Sequence, residues 1–149
     1  MEIKNGSILS FLTIRGDYGY ARVLSRIEGG HFIEVLPFFD ETGKNPNVEA
    51  ERFFHPQLLN TYSTLVCDEG EWRIVYIPDE EYVCPDAHSI VFTFGAKGDE
   101  KYQNILGDYV IPESGKRYPS QIIKDDALVN EIVEFWSCLL YTSPSPRDA

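Results

Sequence analysis

The clearest periodicity lies in the first forty residues. Ser7 to Ile14 (SILSFLTI) is strand-like, with Ile8, Phe11 and Ile14 as its apolar candidates. Gly16 and Asp17 mark a turn. Tyr18 to Ile27 (YGYARVLSRI) then alternates, with Tyr18, Tyr20, Arg22, Leu24 and Arg26 on one face and Gly19, Ala21, Val23, Ser25 and Ile27 on the other. The small and β-branched face is the better core candidate. The face with two arginines is expected to be open or partly covered. Glu28, Gly29 and Gly30 signal a hairpin, and His31 to Phe39 (HFIEVLPFF) reads as a third strand with Pro37 at an edge or bulge.

Beyond this point the pattern is less regular. Asp40 to Val48 is a loop by composition, and a short helical turn is expected near Pro56 to Leu59. Ser63 to Cys67 and Trp72 to Ile77 read as strands around a turn at Asp68 to Glu71. Asp79 to Asp86 (DEEYVCPD) is an acidic loop, His88 to Phe94 (HSIVFTF) a strand, Gly95 to Glu100 a turn, and Tyr109 to Ile111 a short strand. The period changes at Asp125 to Trp136 (DDALVNEIVEFW), where Leu128, Val129, Ile132, Val133 and Trp136 fall at helical spacing behind an aspartate cap. The fold class is α+β, mostly antiparallel sheet with an SH3-like N-terminal portion and a C-terminal helix.

The segment from Cys138 onward reads CLLYTSPSPRDA. Translated back into codons, residues 138–148 resemble the adapter joined to DNA fragments in transposase-based sequencing libraries. The expectation is a single globular domain over residues 1–137, cut short at its C-terminal end, followed by a non-native tail at 138–149. The net charge of −11 is unaffected, because the tail's Arg147 and Asp148 cancel.

That charge argues against sequence-independent nucleic-acid binding, which needs Lys and Arg against phosphate. It argues equally against an anionic membrane surface. A basic partner fits it, since opposite charge steers encounter. Cys67 and Cys84, seventeen residues apart, match no metal or redox spacing and read as buried free thiols. No signal stretch or membrane span is apparent, so a cytoplasmic setting is expected.

Catalytic patterns are absent from the sequence. His31, His55 and His88 stand alone, and there is no nucleophile elbow or phosphate-binding glycine loop. The expectation is no enzyme activity, no catalytic residues, no cofactor and no metal. Asp68, Glu69 and Glu71, with Asp79, Glu80, Glu81 and Asp86, form two acidic runs. Adjacent carboxylates in an extended chain point to opposite sides, which suits a solvated or partner-binding surface better than a catalytic pair. Tyr18, Tyr20, Phe38, Phe39, Phe53, Phe54, Trp72 and Tyr76 are candidates for an aromatic peptide groove.

Lys4 to Ile14 (KNGSILSFLTI), Tyr18 to Leu24 (YGYARVL), Phe32 to Asp40 (FIEVLPFFD) and the later Trp72 to Val75 (WRIV) resemble the strands of the immunity protein 26 family. The pattern departs at Ser7, where the family has Asp, and at Ala21, where it often has Gly. The resemblance covers about a third of the chain and includes no catalytic signature. It implies a bacterial cytoplasmic protein that binds and neutralises a cognate toxin, such as a basic nuclease, by occluding its active site. The acidic runs are then the expected contact residues. The alternatives are an SH3-like peptide-binding adaptor and a small enzyme with an unfamiliar site.

Overall fold

The computed structural model describes residues 3–52, 55–65, 72–125 and 127–142, the last seven of these as backbone. Among the described residues, eight strands form two sheets. They are β1 (Ile8–Leu12), β2 (Tyr18–Ile27), β3 (Gly30–Asp40), β4 (Gln57–Leu59), β5 (Trp72–Tyr76), β6 (Val91–Phe94), β7 (Lys101–Asn104) and β8 (Ile123–Lys124). The helices are α1 (Thr61–Thr64) and α2 (Leu128–Thr142), with a 3-10 turn at Ala87–Ser89. The six-stranded sheet runs β5-β1-β2-β3-β4-β8, antiparallel except for the β4–β8 pair, and β6 and β7 form a separate hairpin. The class is α+β, dominated by sheet.

Burial explains the layering. One face of the large sheet carries Leu9, Phe11, Ala21, Val23, Ile33, Val35 and Trp72, and α2 lays Leu128, Val129 and Ile132 on it. Phe11 and Trp72 meet at a centroid distance of 4.7 Å, a contact worth about 0.5–1.5 kcal/mol beyond area burial. The helix starts where expected: Asp125 accepts the Ala127 amide at 3.0 Å. It continues past Ser137 to Thr142.

The other face, expected to be open or partly covered, is packed over Tyr20, Arg22 and Leu24, with Arg26 exposed and Tyr18 half-buried. Leu24, Phe32 and Leu58 pack against Cys84, Ala87, Ile90, Phe92 and Ile105, while Ile8, Tyr20 and Leu36 form a further cluster with Phe38, Ala50 and Val75. The sheet is covered on both sides, so a pattern of alternation selects no single core face. Several local expectations also change. Gln57 to Leu59 is a strand, because it adds to β3 with Phe32 opposite Leu58. Residues 61–64 are helical behind an Asn60 cap that accepts the Ser63 amide. Of Ser63 to Cys67, Ser63 and Thr64 therefore lie in α1, and Val66 and Cys67 lie outside the described residues. His88 and Ser89 belong to the 3-10 turn, and Tyr109 makes an isolated bridge to Gln103 instead of a strand.

His31 is buried on β3, with Nδ1 2.6 Å from Thr61 Oγ1. Burial, and then the Arg26 charge, lower its pKa below 6.5. The folded state thus prefers the neutral ring. Its stability is intact above the ordinary histidine range and declines as pH falls through 6.5 towards the lowered value, because only the unfolded chain gains the proton readily. The urea midpoint should drop between pH 7.5 and 5.5, and His31→Gln should flatten that slope. An unchanged slope in the variant would assign the pH dependence to other groups.

Candidate functional site

The register of β2 and β3 builds the site. Arg22 stands directly opposite Glu34, on the sheet face away from α2, and both side chains are almost fully enclosed at 5% and 3% exposure. Arg22 NH1 donates to Glu34 Oε2 at 2.6 Å. Its NH2 donates to the carbonyls of Val48 and Ala50 at 2.8 and 3.0 Å. These bonds fasten the irregular strap of residues 41–52 across the sheet. Arg52, at the strap's end, donates from Nε to Glu34 Oε1 at 2.9 Å and through both terminal nitrogens to Asp86. Arg22 also lies 5.1 Å from the Tyr82 ring centroid.

The other end of the strap is tied at Tyr20. Its hydroxyl donates to Asp40 Oδ2 at 2.5 Å and accepts the Asn45 amide at 3.0 Å. Burial, then the bond to Asp40, push the Tyr20 pKa up to about 12. Burial works to raise the Asp40 pKa, but the bonds from Tyr20 and from the Gly43 and Thr42 amides outweigh it and hold the carboxyl below its usual range.

The result is a cleft of about 550 Å³ lined by Arg22, Glu34, Glu49, Arg52, Tyr82 and Asp86, among others. Its far wall is the acidic loop. Gly6 anchors that loop: its φ of +97° suits glycine, and a Cβ there would lie 2.5 Å from Tyr82 Cβ. Tyr82 N donates to Asn5 O at 2.9 Å. The cleft's charged lining is two arginines against Glu34, Glu49, Glu51 and Asp86, a net of −2.

Chemically the cleft is a charge network. Both Glu34 oxygens are held by guanidinium groups. Hydrogen bonds from Arg52 hold the Asp86 pKa at about 2. The buried Cys84 thiol donates to Asp86 at 3.2 Å, and burial followed by that bond push its pKa up to about 11. At neutral pH it stays a thiol, the poorly nucleophilic form.

Of the expected contact residues, Asp79, Glu80, Glu81 and Asp86 are exposed, and Asp86 belongs to the cleft. Asp68, Glu69 and Glu71 lie outside the described residues, as do Phe53 and Phe54. Among the described residues the aromatics do not form an open groove, although Tyr76 is exposed. Tyr20 and Trp72 are buried, Tyr20 stacks on Phe38, Phe39 meets Phe11 edge-on, and Tyr18 is half-buried. His55 lies against the Phe92 ring, and His88 is exposed.

Glu34, Arg52 and Tyr82 were not singled out from sequence. Their one legible sign was Arg22, a charge set between Ala21 and Val23 in the middle of a strand. No protein-family model, curated protein or solved structure matches this chain. Among the described residues, no helix is long and apolar enough to cross a membrane.

Proposed function

We propose that this chain is a binding protein of the bacterial immunity type, which neutralises a cognate, basic toxin by covering its active site. The supporting observation is the distribution of carboxylates around the cleft. Arg22 and Arg52 are offset by Glu34 and Asp86. Glu49 and Glu51 on the strap, and Asp79, Glu80 and Glu81 on the loop, are exposed and enter no ion pair among the described residues. Five carboxylates outside any ion pair among the described residues, with the Lys4 ammonium on the Asp79 carbonyl as the neighbouring cation, leave two adjoining segments with an excess of negative charge that a cationic protein surface meets favourably. A nuclease cleft, basic because its substrate is polyanionic, has the required sign. In this reading the protein acts in the cytoplasm without cofactor or metal.

The SH3-like adaptor reading is the weaker one. The β1–β2–β3 meander is its basis, but among the described residues Tyr20 and Trp72, two of the aromatics it requires, are buried in packed clusters.

The test begins with the gene's neighbour. If it encodes a protein with a basic C-terminal domain, that domain should co-purify with this chain. Reversing charge at Glu49, Glu51, Glu80 and Glu81 should slow association about tenfold or more at low salt while changing dissociation much less, as expected for rim charges. Equal association by the charge-reversed protein would overturn the proposal.

A further inference from the structure

The mode of binding can be taken further, from the free edge of the large sheet. β5 pairs with β1 along one side, Trp72 opposite Phe11 and Tyr76 opposite Ile8, and has no neighbour on the other side among the described residues. A strand in that position presents alternate N–H and C=O groups that no ladder satisfies. Proteins commonly blunt such an edge with lysine or proline, or by making it very short. β8, the opposite edge, has two residues. β5 has five, WRIVY, with neither lysine nor proline; its blunting devices are the charge of Arg73 and a single bulge at Val75, which leave Trp72–Ile74 in regular register with β1. The chain leaving it carries exposed apolar side chains, Tyr76 at 38%, Ile77 at 50% and Val83 at 82%. Among them lie the exposed Asp79, Glu80 and Glu81.

We propose that β5 is a docking edge, and that its occupant is an extended basic segment of the protein partner, added as a seventh strand. Main-chain hydrogen bonds supply affinity, and the flanking side chains choose the sequence. Tyr76, Ile77 and Val83 give apolar contact, and Asp79, Glu80 and Glu81 pair with Lys or Arg beside the added strand. Charge selects this occupant over a second copy of the chain, which would bring another −11 to the same edge. The inference rests on the binding-protein reading above and names how that binding is made.

The probe is an acetylated, amidated peptide of sequence KTVTVTK, followed by residue-resolved amide hydrogen exchange on the full chain. Amides within Trp72–Tyr76 that exchange fast in the free protein should slow by about tenfold or more at saturating peptide. The same peptide N-methylated at alternate residues should give no protection, and neither should ETVTVTE. Replacing Glu80 and Glu81 by lysine should weaken KTVTVTK binding about fivefold or more in low salt. No protection at β5, or equal protection by the N-methylated peptide, overturns strand addition. The two readings fail separately. Capture of the basic neighbour without β5 protection leaves the binding function standing and removes this mode. Protection of β5 without capture supports the edge and removes the toxin reading.

Discussion

Replacing Glu34 by alanine should lower the unfolding free energy by about 3–5 kcal/mol, the range for removing one partner of a buried ion pair. The reason is what remains. Arg22 is always charged and 5% exposed, and its NH1 would lose its carboxylate with little water to replace it. The carbonyls of Val48 and Ala50 still accept from NH2, but they carry no compensating charge. Arg52 suffers less, since it is 26% exposed and keeps Asp86. The double variant Arg22→Met, Glu34→Leu should cost clearly less than Glu34→Ala alone, because apolar residues of similar volume remove the desolvation penalty together with the attraction. Urea unfolding at pH 7 of the singles Arg22→Met and Glu34→Leu and of the double gives the coupling energy. Additive losses would mean that the two groups are solvated independently, contrary to the enclosed pair. The double variant also unfastens the strap from the sheet, so faster exchange at the Ala50 amide should accompany it.

That pair shows where sequence reading stops. The β2–β3 hairpin is legible: Glu28 to Gly30 marks the turn, and Ile27 does pair with Gly30. Counting outward along an unbroken ladder, however, sets Arg22 opposite Val35. The observed ladder shifts register between Val23 and Ser25, which brings Glu34 opposite Arg22 instead. A bulge moves every later pair by one residue, and no turn or proline in the sequence announces it. The burial of Arg22, on a face expected to be open or partly covered, escaped the sequence for a related reason. A charge inside a strand suggests solvent unless its partner is known, and two of Arg22's acceptors are strap carbonyls 26 and 28 residues away. Local signals served better where tertiary pairing decided little. The C-terminal helix was legible from its 3.6-residue period and its Asp125 cap. Residues 56–65 were misread because the strand at Gln57 to Leu59 exists through its pairing with β3, and α1 follows the Asn60 cap. Within the candidate site, the exposure of Asp79, Glu80, Glu81 and Asp86 followed from composition, whereas the cleft beside them depends on a strap whose course composition does not specify.

A second large effect is expected at Gly30. Alanine there should destabilise the fold by about 3 kcal/mol, the upper end for overpacking. Gly30 is the first residue of β3, and its φ is not in the left-handed region. Its cost is therefore steric and not conformational. A Cβ would lie 2.1 Å from the Leu59 carbonyl oxygen and 3.0 Å from its carbon. Those are backbone atoms, so no rotamer change relieves the clash, and β4 has to move away from β3. The adjacent His31–Leu59 pair would then open, and with it the contact between His31 and Thr61. The control is Gly16→Ala. Gly16 has φ +91° and nothing within 4 Å of a built Cβ, so that variant measures left-handed strain alone, about 1–2 kcal/mol. Gly30→Ala should exceed it, and the amides of His31 and Leu59 should lose exchange protection before those of β1. A Gly30→Ala protein as stable as Gly16→Ala would show that β4 yields at little cost and that the outer part of the sheet is loosely held.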